Sequence, residues 1–490
     1  MAVGVADVRL IVGRVCSRPD VLNACRDRDL GKIVAVLGEN GLTQDLIAGL
    51  TGLPQGRLSE YKTGKRKPRG AKTFKDFGDG LGLPSAARVA LGLPAERPVD
   101  AGFGLPATAP VQGAADLAYP DTPADAAETV TRLWHRDLSD ATALSQGRVV
   151  PGAWNDASLR WLVSASSEPV SEKAGRIRVG RPDVDRFRTT VQLFAKLDDQ
   201  FGGGHARQAL IQYLSIDGER LLQGQYSGSV GRQLFSAVSE AALLAAWMSY
   251  DSAPASSLAQ KYFIQALALA QAGEDRLLGA SVLDAMSHQA THLGRFGEAA
   301  TLARAARTGT SGVATATLTS HFHAMEARAL ARLGDVKGCD RALAGAVREF
   351  ERRKPEDDPP WFQYVDETEL SAEMGHCLRD LGRAADAARY ATRGLIAPDG
   401  ATFVRSDFFV AMVLADAHLA GGGLEQACDV ALKALKAGEQ IRSARCINYL
   451  REFRTHLTRA ASTTAVVEFN EQAGESRLWR IASRPGKGLS

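Results

Sequence analysis

The sequence predicts an all-α protein: a small helical N-terminal domain, a proline-rich linker and a long superhelix of paired helices. Three observations carry this prediction. Pairs of small residues seven apart recur in near register through the C-terminal half. Two short apolar-faced segments flank a glycine turn near residue 52. Six prolines interrupt residues 94–125.

Residues 1–19 read as a loosely ordered extension, and residues 20–93 as a compact domain of five helices. Within it, Leu30, Ile33, Val34 and Leu37 mark one apolar helical face. Thr43 can cap a second helix, with Gln44 and Asp45 in its first turn and Leu46, Ile47 and Leu50 facing inward. Gly52 breaks that helix, Leu53 turns back to the core, and Pro54 opens a third, where its missing N–H is harmless. Leu58 and Tyr61 anchor this third helix, leaving Gln55, Arg57, Ser59, Glu60 and Lys62 outward until Gly64 ends it. Phe74, Phe77, Leu81 and Leu83 complete the core before Pro84.

The linker, residues 94–125, carries Pro94, Pro98, Pro106, Pro110, Pro120 and Pro123, which exclude a continuous helix. Residues 126–235 read as a helical region capping the array. Val184–Leu197 and Ala206–Leu222 form a degenerate hairpin across Gly202, Gly203 and Gly204, and Trp134, Trp154 and Trp161 are core.

The repeats occupy residues 236–460. The small pairs are Ala259/Ala266, Ala299/Ala306, Cys339/Ala346, Ala387/Gly394 and Ala427/Ala434, with first members 40, 40, 48 and 40 residues apart. Residues seven apart lie two turns apart on one helical face, so small side chains there admit a close neighbour. Gly294, Gly334 and Gly382 sit five residues before three of these pairs, where the chain must reverse. Leu293, Leu333 and Leu381 precede them and can close each hairpin's seam. The long interval contains a polar insertion, residues 351–360, and its Asp357 and Asp358 read as a solvated loop. Residues 461–490 return to Ser, Thr, Gly and Arg and read as a tail.

Composition bounds the class. The chain has 490 residues, 45% hydrophobic, 23% charged and 7% aromatic, which suits a globular protein of several domains. Six dispersed cysteines without a C-x-x-C pair suit buried thiols in a reducing compartment. Arg9 and Arg14 interrupt the N-terminal apolar run, and no stretch approaches a membrane span. The expected location is the cytoplasm.

Net charge is only +3, yet eight basic residues and one acid, Glu60, lie between Arg57 and Lys75. Beside two helices joined by a tight turn, such a concentration is expected to bind double-stranded DNA.

Two resemblances extend this reading. Gly294, Phe296, Ala299 and Ala306 match the second helix of the tetratricopeptide repeat, and Gly375 matches the glycine of its first helix. The period of 40 and the missing final proline depart from that family's 34-residue pattern. The resemblance implies a superhelix whose concave face receives a peptide, small molecule or partner protein. Residues 43–68 resemble the XRE family of phage-repressor-like helix-turn-helix domains, through Thr43-Gln44, Ala48, Gly52-Leu53, Leu58-Ser59, Tyr61 and Gly64–Pro68. That resemblance implies Gln44 as a phosphate anchor and Gln55 and Arg57 as base readers. Ser59, Lys62, Lys65 and Arg66 would hold the DNA backbone, with Glu60 beside them. Pro54 and Gly56 depart from the pattern. The combined architecture resembles regulators of development and antibiotic production in high-GC bacteria, repressors among them, and implies transcriptional control, with repression the expected mode. A homodimer is expected because one small reading helix rarely gives enough specificity. A tetratricopeptide adaptor without DNA binding is the alternative.

No catalytic constellation, metal site or cofactor is expected. His288 and His292 stand four apart but lack a third ligand, and His321 and His323 face opposite sides of a helix. Gly202-Gly203-Gly204-His205 lacks the lysine of a phosphate-binding loop.

Overall fold

The computed structural model describes residues 11–93 except 13, 14, 17 and 69, and residues 114–163, 177–252, 256–396 and 404–484. Throughout, the described elements are helical apart from one isolated bridge between Arg178 and Gln225.

Six helices form the N-terminal group: α1 (Pro19–Arg26), α2 (Leu30–Glu39), α3 (Gln44–Thr51), α4 (Gln55–Lys62), α5 (Ala71–Leu81) and α6 (Ser85–Ala90). The Thr43 hydroxyl accepts the Leu46 N–H at 3.2 Å, which fixes the start of α3. Gly52 closes that helix with φ +67°, a left-handed conformation that side chains resist. Ile33, Leu37, Ile47, Leu58, Phe77 and Leu83 are fully buried. Two glycines set the spacing. A Cβ on Gly31 would lie 2.0 Å from the Tyr61 carbonyl oxygen, and one on Gly80 would lie 2.2 Å from that of Leu50. So α2 presses against α4, and α5 against α3, backbone to backbone. Ile11, Val12, Val15 and Cys16 are also helical and buried in this core, so the expected loose extension is packed where it is described.

Residues 94–113 of the expected linker lie outside the described residues. Its remaining part is built into the structure. Asp116 is fully buried, and the Gln265 amide donates to the carbonyls of Asp116 and Ala118 at 2.9 and 3.1 Å. Next come α7 (Pro123–Gln146), α8 (Pro151–Val163), α9 (Arg181–Phe201), α10 (Arg207–Tyr213), a π turn over Leu214–Gly218 and α11 (Glu219–Leu222). Trp134, Trp154 and Trp161 are fully buried.

Five antiparallel pairs follow: α12 (Gly228–Asp251) with α13 (Ser256–Ala272), α14 (Arg276–His292) with α15 (Phe296–Gly309), α16 (Ala316–Arg332) with α17 (Val336–Glu351), α18 (Glu367–Asp380) with α19 (Ala384–Gly394), and α20 (Val404–Ala420) with α21 (Leu424–Ala437). All five small pairs lie on the second helix of their hairpin and are buried. Gly294, Gly334 and Gly382 take φ of 72–73° at the reversals, as does Gly422 at 85°. Serine hydroxyls stitch three hairpins: Ser239, Ser287 and Ser320 donate to the carbonyls of Ala266, Ala299 and Ala346 at 2.7–2.8 Å. The paired helices form a repeat superhelix.

The array ends in α22 (Ala444–Leu457), α23 (Thr464–Ala473) and α24 (Arg477–Ala482). The expected tail is therefore helical through residue 482. Phe469 stacks edge-on against Phe453 and Trp479, with centroids 5.9 and 5.0 Å away, and seals the last core. Residues 485–490 lie outside the described residues.

Candidate nucleic-acid interface and array cavity

Local packing aims α4 outward. Leu58 and Tyr61 are buried, so Gln55, Arg57, Ser59 and Lys62 emerge exposed from the remaining positions. Lys65 and Arg66 are exposed beyond Gly64, which turns the chain with φ +72°. Gln44 is half-buried in the first turn of α3. Glu60 is half-buried and pairs with Arg66 at 3.5 Å. Among the described residues, no ion pair is formed by Arg57, Lys62, Lys65 or Lys67. Arg69, part of the same basic run, lies outside them. Pro54 offers no side-chain cap, and space is open beside Gly56. A helix start with unpaired cations beside it suits phosphate.

The N-terminal group is not free of the array. Helix α3 packs on α15: Gly49 faces Thr308, and a Cβ on Gly52 would lie 2.6 Å from Arg304 Nη1. Leu159 of α8 enters the N-terminal core, and Lys72 pairs with Asp335 at 3.4 Å. Arg304 and Arg307 donate to Glu326 of α16 at 2.6 and 3.2 Å. The N-terminal group, expected as a separate domain before a proline-rich linker, is docked on the array through contacts that only the folded chain creates.

The second feature is a cavity of about 1000 Å³ inside the array, lined from α9, α12, α14, α16, α18, α20 and α22. Its wall closes because the ends of the superhelix meet. Asp251 at the end of α12 is fully buried. It accepts from Arg445 Nε and Ser443 Oγ at 2.7 Å, and from the Gly203 N–H at 3.1 Å. Although burial opposes its charge, Arg445 and Arg405 hold its carboxyl below the usual range. Arg405 of α20 also donates to Asp198 of α9 at 2.6 Å. Burial still lifts Asp198 to about 6, since Arg405 offsets only part of the desolvation. Gly202 and Gly203 permit this meeting: side chains there would strike the backbones of Arg442 and Met248. The glycine run is a structural joint.

Charged pairs and rings line the interior. Arg328 donates to both Glu373 oxygens at 2.9 and 3.2 Å. His321 Nδ1 lies 3.0 Å from Asp284. Burial disfavours the imidazolium, but the Asp284 carboxylate outweighs it and lifts His321 to about 9. His288 and His292 line the same wall, with Tyr250 Oη 3.2 Å from His288 Nδ1. Burial and nearby arginines push both downward, His292 to about 4. His323 faces the other way, against Gly345. No group of three His, Cys, Asp or Glu side chains among the described residues could hold a metal ion. The six cysteines are buried and unpaired.

The polar insertion contributes to this wall. Asp357 is exposed, whereas Asp358 is buried and accepts the Thr317 hydroxyl at 2.6 Å, contrary to a wholly solvated loop. That bond helps place Trp361 and Tyr364 on the cavity. Sequence reading missed these lining residues, although two aromatics after a polar run were a usable signal. No described helix is long and apolar enough to cross a membrane. Nothing matched in comparison with known proteins: no family model, no curated protein and no solved structure.

Proposed function

We propose that this protein is a sequence-specific transcriptional repressor that binds double-stranded DNA through α3 and α4 and senses a ligand in the cavity of its array. The observation that carries the reading is α4 itself, an outward helix with Arg57 and Lys62 exposed and Lys65 just beyond its end, all outside any ion pair among the described residues. On this reading the unit is an XRE-type helix-turn-helix. Gln44, Ser59, Lys62, Lys65 and Arg66 hold phosphates, Gln55 and Arg57 read base edges, and Glu60 orients Arg66. The array is tetratricopeptide-like, and its ligand is a small molecule, peptide or partner protein. A homodimer would place two α4 helices on adjacent half-sites, since one short reading helix gives limited specificity. The protein would act in the cytoplasm, on the nucleoid, without catalysis.

Coupling between the two parts has a physical route. Helix α16 presents His321 and Arg328 to the cavity, while its Glu326 holds Arg304 against the Gly52 turn. A ligand that shifts α16 would move the seat of α3.

Anisotropy titration of a random-sequence duplex at two salt concentrations tests DNA binding. Lys62, Lys65 and Arg66 would neutralise about three phosphates per subunit, so affinity falls roughly fortyfold per subunit for a fourfold rise in salt. Arg57→Ala/Lys62→Ala should weaken binding and flatten that dependence. Folded protein that ignores duplex DNA even at low salt would favour an adaptor, in which the N-terminal group serves assembly.

A further inference from the structure

Building on the reading of the array as a sensor, we propose that its cavity receives an organic cation. The ammonium or guanidinium group would sit between Asp284 and Glu369, with its apolar body against Trp361 and Tyr364.

The volume suits a ligand of drug or short-oligomer size. Charge then selects its sign. Carboxylates outnumber guanidinium and ammonium groups in the lining, and the cavity arginines are largely committed. Arg328 holds Glu373, Arg405 holds Asp198, Arg445 holds Asp251 and Arg379 holds Asp380. The unmatched capacity is negative. Asp284 is 6% exposed and lines the cavity, yet its Oδ1 has no hydrogen-bond partner. A buried acceptor left so is costly, and a donor on a ligand would remove that cost.

Glu369 of α18 lines the same cavity, and both carboxylates act on His321 and Tyr364. The groups facing Glu369 are Glu373 and Asp366 from its own helix and cap, His321 and Arg328 from α16, and the Tyr364 hydroxyl. Burial, with Glu373 next, lifts Glu369 to about 7. His321 and Arg328 offset this only in part, which leaves Glu369 capacity for a further cation. Aromatic rings supply the remaining wall. Phe362 bridges His321, Trp361 and Tyr364 with centroids 5.4–5.7 Å away. Ring faces beside carboxylates favour cations over anions. A bare metal ion is disfavoured, because no described group of three ligands could hold one.

Cation binding would draw the Glu369 proton off. Affinity should therefore rise with pH through about 7, with proton release, while His321 stays protonated up to about 9.

Calorimetric titration of the full chain with phenethylamine, phenethyl alcohol and hydrocinnamate tests the proposal. The three share a ring and differ in the polar end. The amine should bind about tenfold or more tighter than either other probe, and Glu369→Gln should cost it about tenfold. Glu452→Gln, elsewhere on the lining, should leave it unchanged. Should Glu369→Gln fold poorly, wild-type protein titrated in two buffers of different ionisation enthalpy still reports the proton release. Equal or tighter binding of the alcohol or carboxylate, no binding of any probe, or no proton release with the amine would overturn the proposal. The titration contains no DNA, so its failure leaves the DNA reading standing. Loss of DNA binding in Arg57→Ala likewise leaves the cavity intact.

Discussion

Gly31→Ala and Gly38→Ala make the same chemical change twice in one helix, and the structure assigns them opposite outcomes. Both glycines lie in α2, and neither has a positive φ. At Gly38 nothing lies within 4 Å of an added Cβ, so alanine gains helix propensity, about 0.5–1 kcal/mol. At Gly31 the Cβ would sit 2.0 Å from the Tyr61 carbonyl oxygen and 2.6 Å from its carbon. Real contacts of this kind stay beyond about 3 Å, so α2 and α4 must separate by about 1 Å. Both obstacles are backbone, and no rotamer change relieves them. Overpacking of this severity costs about 3 kcal/mol, and subtracting the propensity gain leaves a net loss near 2 kcal/mol. Hydrogen exchange of α2 and α4 peptides in the intact chain reads the difference. Gly31→Ala should speed the slowest amides about thirtyfold, while Gly38→Ala leaves them unchanged or slower. Similar effects at the two sites would refute the claim that backbone contact sets the α2–α4 spacing.

Other consequences follow from the closure and the cavity. Asp251→Asn removes the charge shared by Arg445, Arg405, Ser443 and Gly203, and urea unfolding should show a loss of about 3 kcal/mol. A loss below about 0.5 kcal/mol, the range of ordinary surface substitutions, would mean that the ring is held elsewhere. His321, lifted above its ordinary value of 6.5 to about 9, contributes stability that is complete below pH 6.5 and is lost as pH rises through about 9. The stability gap between wild type and His321→Gln should therefore narrow by roughly 3 kcal/mol across that window, and a pH-independent gap would contradict the ion pair. Ending the chain after Ala460 uncovers Phe453 and should cost more than about 3 kcal/mol of array stability. An unchanged melting curve would show α23 and α24 to be dispensable.

The repeats were legible because their rule is local: a helix that crosses a neighbour closely needs small residues every second turn, and Ala299/Ala306 announce this in sequence. The α3–α4 unit was legible for the same reason, since Thr43, Gly52, Leu58 and Tyr61 act within one or two turns. Closure was not. Asp251 with Arg445, and Asp198 with Arg405, join residues about two hundred apart, and each alone reads as an ordinary solvated charge. Docking of α3 on α15 was hidden likewise, because Gly49 and Thr308 carry no mark of their meeting. The final helices were obscured by composition: Ser, Thr and Gly around residues 461–490 outweighed the helical spacing of Val466, Phe469 and Ala473. In the polar insertion, charge density masked Asp358, whose burial rests on one hydroxyl of α16.

The most direct test of the account is genome-wide DNA capture with the purified protein, comparing wild type with Arg57→Ala/Lys62→Ala. The account predicts enrichment of a two-fold symmetric sequence by wild type and its disappearance in the variant, with both proteins equally folded. Folded wild-type protein that enriches no sequence, or a variant that enriches the same sequence equally well, would contradict the assignment of α4 as the DNA-reading helix.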